Sequence, residues 1–349
     1  MKKVFVYAYV NKNLGDDLFL KVLKDRFPNR EFTVFVSDKN EASYLEKYGF
    51  SVWEYSRFCR RFDKVCYKLF KQTPFLKREL SKYNETLIIG GSMFMEEGRW
   101  QDNYYYYDRL QQLSRKITVV GANFGPVKTD YFLSAYQELF SKFDGIVFRD
   151  KPSVEYFAGF DNISLAPDAV FNLDLLAAEK ENIVGISVVN LANRPALQQY
   201  EMAYVSFMKK IIVSFLSKGY RVHLLSFCEA EGDLDMCDRL KQEFNDDVTL
   251  IAYNGAIDQF LDLFASYSYV VGTRFHSMIL GWLSGAKVLP IAYSSKTINV
   301  IEELNPDSFY IEISNLPEDS TLIDDSWFSE FPNLELVRKQ AKNQFRNNV

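Results

Sequence analysis

Short apolar runs rich in β-branched and aromatic residues alternate along this chain with longer stretches of helical period, the pattern of parallel sheets covered by helices. In the first half the pattern predicts strands over Lys3–Val10, Glu31–Val36, Thr86–Ile89, Ile117–Gly121 and Gly145–Phe148. The polar stretch 174–182 interrupts it. A second set follows over Ile183–Val189, Tyr220–Phe227, Val248–Ile251, Tyr269–Val271 and Lys287–Ile291. Two domains are predicted, 1–176 and 177–315, followed by an acidic, Pro-containing tail, 316–349. The tail ends in an amphipathic helix over Glu335–Phe345 that would pack back on the first domain. Tyr104–Tyr107 lie in a helix, where four consecutive residues point to all sides. At least one tyrosine should therefore be exposed, with helix packing as the main role and sugar stacking as the alternative.

Length agrees with this division, because 349 residues exceed one compact core and suit two. Hydrophobic residues at 48% and charged residues at 25% are the composition of a folded globular protein. A net charge of -5 argues against general nucleic-acid binding, which needs a basic surface. The N-terminal apolar run lacks a small-residue cleavage site and reads as a strand rather than a leader. No run is long enough to span a bilayer. Cys59, Cys66, Cys228 and Cys237 form neither a CxxC pair nor a disulfide framework, which fits a reducing cytoplasm and leaves no expected metal site.

One segment departs from the acidic balance. Between Arg57 and Lys82 nine Lys or Arg stand against two acids, interleaved with Phe58, Phe62, Val65, Leu69 and Phe70. This is a basic amphipathic helix followed by a Pro-containing turn. Such a helix can lie on an anionic membrane, or turn its apolar stripe onto the first domain and leave the charges in water. Both readings stand on the sequence alone.

Open parallel sheets bind ligands beyond the carboxyl ends of their strands, where helix N-termini favour anions. That rule selects 11–17, Gly90-Gly91-Ser92, 123–126, Arg149-Asp150, Arg274-Phe275-His276 and 293–296. Neither GxGxxG between strand and helix nor GxxxxGK[ST] occurs, so the dinucleotide and P-loop cradles are absent. Arg149 closes an apolar strand and needs Asp150, Asp168 or a ligand as countercharge. His276 opens a helix beside Arg274, where the helix terminus and the arginine both disfavour imidazolium unless an anion is bound. Lys296, placed where another helix starts, is unfavourable there unless it serves an anion or is solvated. His223, inside a strand, reads as a satisfied structural histidine. The segment from Thr273 to Lys296, with Arg274, His276, Tyr293 and Lys296, is thus the expected wall of an anion site.

In order along the chain stand Asn13-Leu-Gly-Asp-Asp17, Gly90-Gly-Ser92, Gly121 with Phe124-Gly-Pro126, Arg149-Asp150-Lys-Pro-Ser153, Pro167-Asp168-Ala-Val-Phe171, Arg274-Phe-His276 and Tyr293-Ser-Ser-Lys296. With these motifs the sequence resembles the polysaccharide pyruvyl transferase family over roughly residues 4 to 300. The resemblance implies a GT-B-like α/β fold, two Rossmann-like parallel-sheet domains facing across a cleft. It implies transfer of pyruvate from phosphoenolpyruvate to a saccharide, with no other cofactor. It gives the donor to Arg149, His276 and Lys296, to which the anion-site reading adds Arg274. The acceptor side falls to Asn13, Gly15, Asp16, Gly91, Ser92 and Asp168. The segment 57–82 matches no family motif.

Ketal formation needs an acid and a base. His276 is the expected acid or phosphate partner, and Asp16 the carboxylate that orients or deprotonates the acceptor, unless it is only an N-cap. Asp168 either touches the acceptor or pairs with Arg149. Two rivals remain at this stage: a GT-B glycosyltransferase using a nucleotide sugar, against which the second domain shows no clear acidic ribose motif beyond the candidates Glu229 and Glu231, and a non-catalytic two-domain anion binder. An acceptor carried on a lipid would give the basic helix a purpose at the inner face of the membrane.

Overall fold

The computed structural model describes residues 2–40, 42–176, 178–317 and 323–347. It contains two compact units. The first comprises residues 2–10, 19–172 and 338–347, the second the described residues of 11–18 and 173–337.

In the first unit the elements run β1 (Lys3–Tyr7), α1 (Leu14–Arg26), β2 (Glu31–Val36), α2 (Tyr44–Lys47), β3 (Ser51–Glu54), α3 (Arg57–Phe70) and α4 (Pro74–Leu80). They continue with β4 (Glu85–Ile89), α5 (Trp100–Leu113), β5 (Ile117–Ala122), α6 (Asp130–Phe140), β6 (Gly145–Phe148), α7 (Lys151–Glu155) and β7 (Ile163–Leu165). The first turn of α1, through Leu18, groups with the second unit and the rest with the first. The seven strands pair in the order β3-β2-β1-β4-β5-β6-β7, all parallel. Their apolar runs suit burial on both faces, and β4, β5 and β6 are buried along their whole length. The core is strongly aromatic, with Phe94, Phe124, Phe132, Tyr136 and Phe140 meeting mostly edge to face or tilted and Phe124 stacked on Phe132.

The second unit contains β8 (Glu181–Ser187), α8 (Glu201–Ser217), β9 (Arg221–Ser226), α9 (Asp233–Phe244), β10 (Val248–Ala252), α10 (Ile257–Ser266) and β11 (Tyr267–Gly272). It ends with α11 (Phe275–Ser284), β12 (Lys287–Ala292), α12 (Ser295–Leu304) and β13 (Ile311–Glu312). Its six parallel strands are ordered β10-β9-β8-β11-β12-β13 over a largely aliphatic core. Strand order therefore reverses between β1 and β4 in one sheet and between β8 and β11 in the other, the places where such sheets open toward ligands.

All ten predicted strands form, within a few residues at their ends. The three that periodicity missed, β3, β7 and β13, are sheet edges of four, three and two residues, too short to carry a recognisable alternation. After α13 (Leu334–Ala341) a 3-10 turn over Lys342–Phe345 completes the first unit. Gln344 there accepts from Gly121 N–H at 2.8 Å and donates to the Ala166 carbonyl at 2.8 Å.

The tyrosine run needs a correction: none of Tyr104–Tyr107 is exposed. Tyr107 is buried and donates to the Met93 carbonyl at 3.0 Å, while Tyr105 packs on Tyr67 of α3 and Tyr106 on Tyr55. Tyr67 of α3 thus shields one side of α5, lying against Tyr105 and under the Arg109 guanidinium.

The orientation of α3 overturns the packed-stripe reading. Its buried residue is Asp63, which accepts from Tyr55 Oη at 2.6 Å and from the N–H groups of Phe75 and Leu76 at 3.1 and 2.9 Å. One carboxylate thus satisfies the start of α4, where helical N–H groups have no partner in their own helix. Phe58, Phe62, Val65, Leu69 and Phe70 are exposed.

Candidate functional site

Each sheet gathers polar residues at the carboxyl ends of its strands. In the first unit these are Gly91 after β4, Asn123 after β5, Arg149 after β6 and Asp168 after β7. The buried Arg149 guanidinium donates through Nη1 to Asp168 Oδ2 at 2.7 Å and through Nη2 to Asn123 Oδ1 at 2.8 Å. Gly91 is where a side chain would not fit: a Cβ there would lie 2.8–3.0 Å from the guanidinium atoms. The Gly91 carbonyl accepts from Asn123 N–H at 2.9 Å, and Ser92 Oγ reaches Asn123 Oδ1 at 3.4 Å. Of the candidate countercharges for Arg149, Asp168 is the one that pairs. Asp150 instead caps α7, accepting from Ser153 N–H at 3.0 Å.

The second unit collects the other motifs. Asn13 occupies the cap of α1: its Oδ1 accepts from Gly15 N–H at 3.0 Å and its carbonyl from Asp17 N–H. Asp16 is consequently not the N-cap, but a partly exposed residue of the first turn. Asp17 is buried and accepts from Tyr253 Oη at 2.7 Å. Gly15 lies against the ring of His276, so closely that a Cβ would collide with Nδ1. Two motifs some 260 residues apart, by the numbering 276 − 15 = 261, therefore share one contact.

His276 is the second residue of α11 and is 9% exposed. A helix start here is also an interior position. The loop before it is fixed by Ser187 Oγ, which accepts from the N–H groups of Thr273 and Arg274 at 3.1 and 3.2 Å and bonds Ser277 Oγ at 2.6 Å. Tyr204 Oη meets Thr273 Oγ1 at 3.0 Å.

Arg274 was expected on the anion. Its Nε donates to Asp233 Oδ2 at 2.8 Å, Nη2 pairs with Asp233 Oδ1, and Nη1 donates to Glu231 Oε2 at 2.7 Å. The guanidinium is committed to two carboxylates and cements loops after β9 and β11. Burial opposes its charge, and Asp233 outweighs burial, so the group is held protonated more firmly than usual. Glu231 also receives Arg194 at 2.6 Å and Asn13 Nδ2 at 3.1 Å. Burial would raise its pKa, but Arg274 and Arg194 hold it below the usual carboxylate range. Arg194 in turn lies over the Tyr293 ring, 4.9 Å from its centre. Lys296 stands partly exposed in the first turn of α12. His223 bonds Tyr267 Oη through Nδ1 at 3.1 Å, as a structural histidine should.

Asn13, Gly15, Glu231, Arg274 and His276 are thus linked in one unit, and Gly91, Ser92, Asn123, Arg149 and Asp168 in the other. Asp233, the partner that takes two of Arg274's nitrogens, was missed. It opens α9 just after β9, so the strand-end rule applied to acids as well as to bases would have found it. Among the described residues no cluster of three or more His, Cys, Asp or Glu is arranged to hold a metal ion.

Comparison with known proteins bears on the fold and the family. The chain is similar to the crystal structure of Anabaena Alr3699/HepE in complex with UDP-glucose, with 9% identity, 99% of this chain and 91% of that chain covered, and a TM-score of 0.56. It is also similar to a glycosyltransferase from Rickettsia africae, with 9% identity, 99% and 95% coverage and a TM-score of 0.51. At such identities the likeness establishes the fold, a GT-B-like pair of parallel α/β units. In sequence it is 24% identical over 275 residues to the amylovoran biosynthesis protein AmsJ of Erwinia amylovora, over 70% of this chain and 65% of that protein. The match thus spans slightly under two thirds of that relative's length. The family model for polysaccharide pyruvyl transferase matches residues 13–295, from the Asn13 cap to the start of α12, and the chain belongs to that family.

Proposed function

We propose that the protein transfers pyruvate from phosphoenolpyruvate to a saccharide of a cell-surface polysaccharide or its cytoplasmic precursor, forming a cyclic ketal. Family membership supports a transferase acting in polysaccharide modification. The observation that carries the finer reading is the contact of Gly15 with His276, which joins the motif given to the acceptor with the one given to the donor.

In this reading one proton is added to C3 of phosphoenolpyruvate, and C2, now oxocarbenium-like, is attacked by a sugar hydroxyl. A second hydroxyl displaces phosphate and closes the ring. The two hydroxyls release two protons: one balances that taken up at C3, and the other leaves with the phosphate. His276, held at a helix start, serves as the acid or as partner to the phosphate. Asp16, one residue past Gly15, orients or deprotonates the acceptor hydroxyl. Lys296, in the same unit as His276, neutralises donor charge. Arg274 is left out of direct donor contact and holds the loop that presents His276.

The nucleotide-sugar alternative would place a ribose on Glu229 or Glu231. Glu231 is already engaged by Arg194, Arg274 and Asn13, which argues against it. The test is phosphate release from phosphoenolpyruvate in the presence of free and lipid-linked saccharides, with products read by mass. His276→Ala should abolish release while the far-ultraviolet spectrum is retained; a folded variant with normal turnover removes His276 from the reaction. Lys296→Ala should weaken phosphoenolpyruvate binding in titration. Thermal protection by uridine nucleotides and not by phosphoenolpyruvate would overturn the proposal in favour of glycosyl transfer.

A further inference from the structure

Helix α3 presents an arrangement that the fold does not use. Soluble helices turn their apolar stripe inward. Here Phe58 is 70% exposed, Leu69 67% and Phe70 69%, with Phe62 and Val65 also outward, while the polar Asp63 is 1% exposed. At 3.6 residues per turn, positions 58, 62, 65 and 69 form one stripe over the length of the helix, and Arg57, Arg61, Lys64 and Lys68 run beside it. All four cations are exposed. Lys71 at the C-cap and Lys77 and Arg78 on α4 add further exposed positive charge.

The outward setting is anchored rather than accidental. Asp63 is held by Tyr55 and by two N–H groups at the start of α4, and Tyr67 packs on Tyr105. Rolling the stripe inward would break these bonds and leave the Tyr55 hydroxyl and the first N–H groups of α4 without their acceptor. Phe58 and Phe62 stack with ring centres 6.2 Å apart, and Phe62 meets Phe75 at 5.4 Å, so the stripe is braced from behind.

We infer that α3 is a docking surface for an anionic bilayer, lying in the interface with its phenylalanines and leucine in the acyl region and its basic row among the headgroups. Charge complementarity selects this occupant: a row of Lys and Arg alongside an aromatic and aliphatic stripe matches an anionic lipid surface, whereas a second copy of the same face would set like charges together. The surface is read from α3 alone and stands whether or not the pyruvyl-transfer reading does.

The test is flotation of the full chain with phosphatidylcholine vesicles, with and without about one-third phosphatidylglycerol. Binding is expected to the anionic vesicles and to be at least ~10-fold weaker to the neutral ones, falling several-fold as salt is raised from ~0.05 to ~0.5 M. Phe58→Ser with Leu69→Ser should lower anionic-vesicle binding by ~10-fold or more, and Arg61→Glu with Lys68→Glu by a similar factor. These positions are exposed, so the melting temperature should change little; the salt series on the unaltered chain gives an answer without any variant. Failure to bind anionic vesicles, equal binding to both compositions, or binding that survives both double substitutions would each overturn the inference. So would a concentration-dependent dimer abolished by Phe58→Ser in a chain that ignores vesicles, since a second copy would then be the occupant.

Discussion

Gly15 and Arg149 show how single residues set the chemistry available here. Gly15 has no positive φ to require glycine, yet its missing side chain is what admits the His276 ring. Gly15→Ala should therefore spare the backbone and displace the imidazole, lowering turnover by roughly 10- to 100-fold with a small change in melting temperature. Phosphate release and a thermal melt on the same sample check both halves. For Arg149 the issue is a buried charge. Asp168→Asn removes the paired carboxylate from a buried guanidinium and should cost about 3–5 kcal/mol in urea unfolding, and adding Arg149→Met should recover part of that loss because the buried charge is gone. An additive double variant would show that the pair carries no mutual energy. Which carboxylate neutralises Arg149 could not be read locally, since Asp150 is adjacent and Asp168 is 19 positions away. The nearer acid was taken up by a helix cap, a role its place just before Lys-Pro-Ser already favoured.

Among the elements, the terminal turn over Lys342–Phe345 and helix α3 were read with different success. The amphipathic period at the C-terminus was legible, but not what the turn would satisfy. Gln344 supplies an acceptor to Gly121 N–H and donors to the carbonyls of Ala166 and Pro167, all in the buried end of the first unit. Gln344→Ala should destabilise that unit by about 3 kcal/mol, since removing the amide leaves buried backbone groups unpaired. Amide exchange resolved along the chain would show faster exchange near Gly121 and no change in the second unit. For α3 the period was equally clear, and it could not say which face turns inward. That depended on Tyr55 and on the start of α4, residues outside the helix whose hydrogen bonds claim Asp63.

At the level of the whole molecule, ionisable groups tie stability to pH in two windows. His223 is half-buried with its pKa lowered by burial and by Arg221, so the folded chain keeps it neutral while the unfolded chain takes the proton near pH 6.5. Stability from this group is present above that pH and is lost as pH falls below it. Glu231, depressed by Arg274 and Arg194, adds a contribution present above the unfolded glutamate value of about 4.3 and lost as pH falls further. Melting temperature should therefore decline gently below pH ~6.5 and more steeply below ~4.3. His223→Gln should remove the first slope and Glu231→Gln should reduce the second, which Glu96 and Asp324, also held below the usual carboxylate range, share; an unchanged profile in both would place the acid response elsewhere.

What the sequence determined by itself was everything written among near neighbours: strand and helix periods, their alternation into parallel α/β layers, and the polar residues that end each strand. Motif order then carried the family. Tertiary structure alone decided which of those polar residues meet. Arg274, read as an anion ligand, became the partner of Asp233 and Glu231; Gly15 came to rest on His276; and the apolar stripe of α3 was left facing outward. The reason is common to all three. A side chain's partner depends on which strand ends lie side by side, and that is set by sheet order and long-range packing, which no local period records.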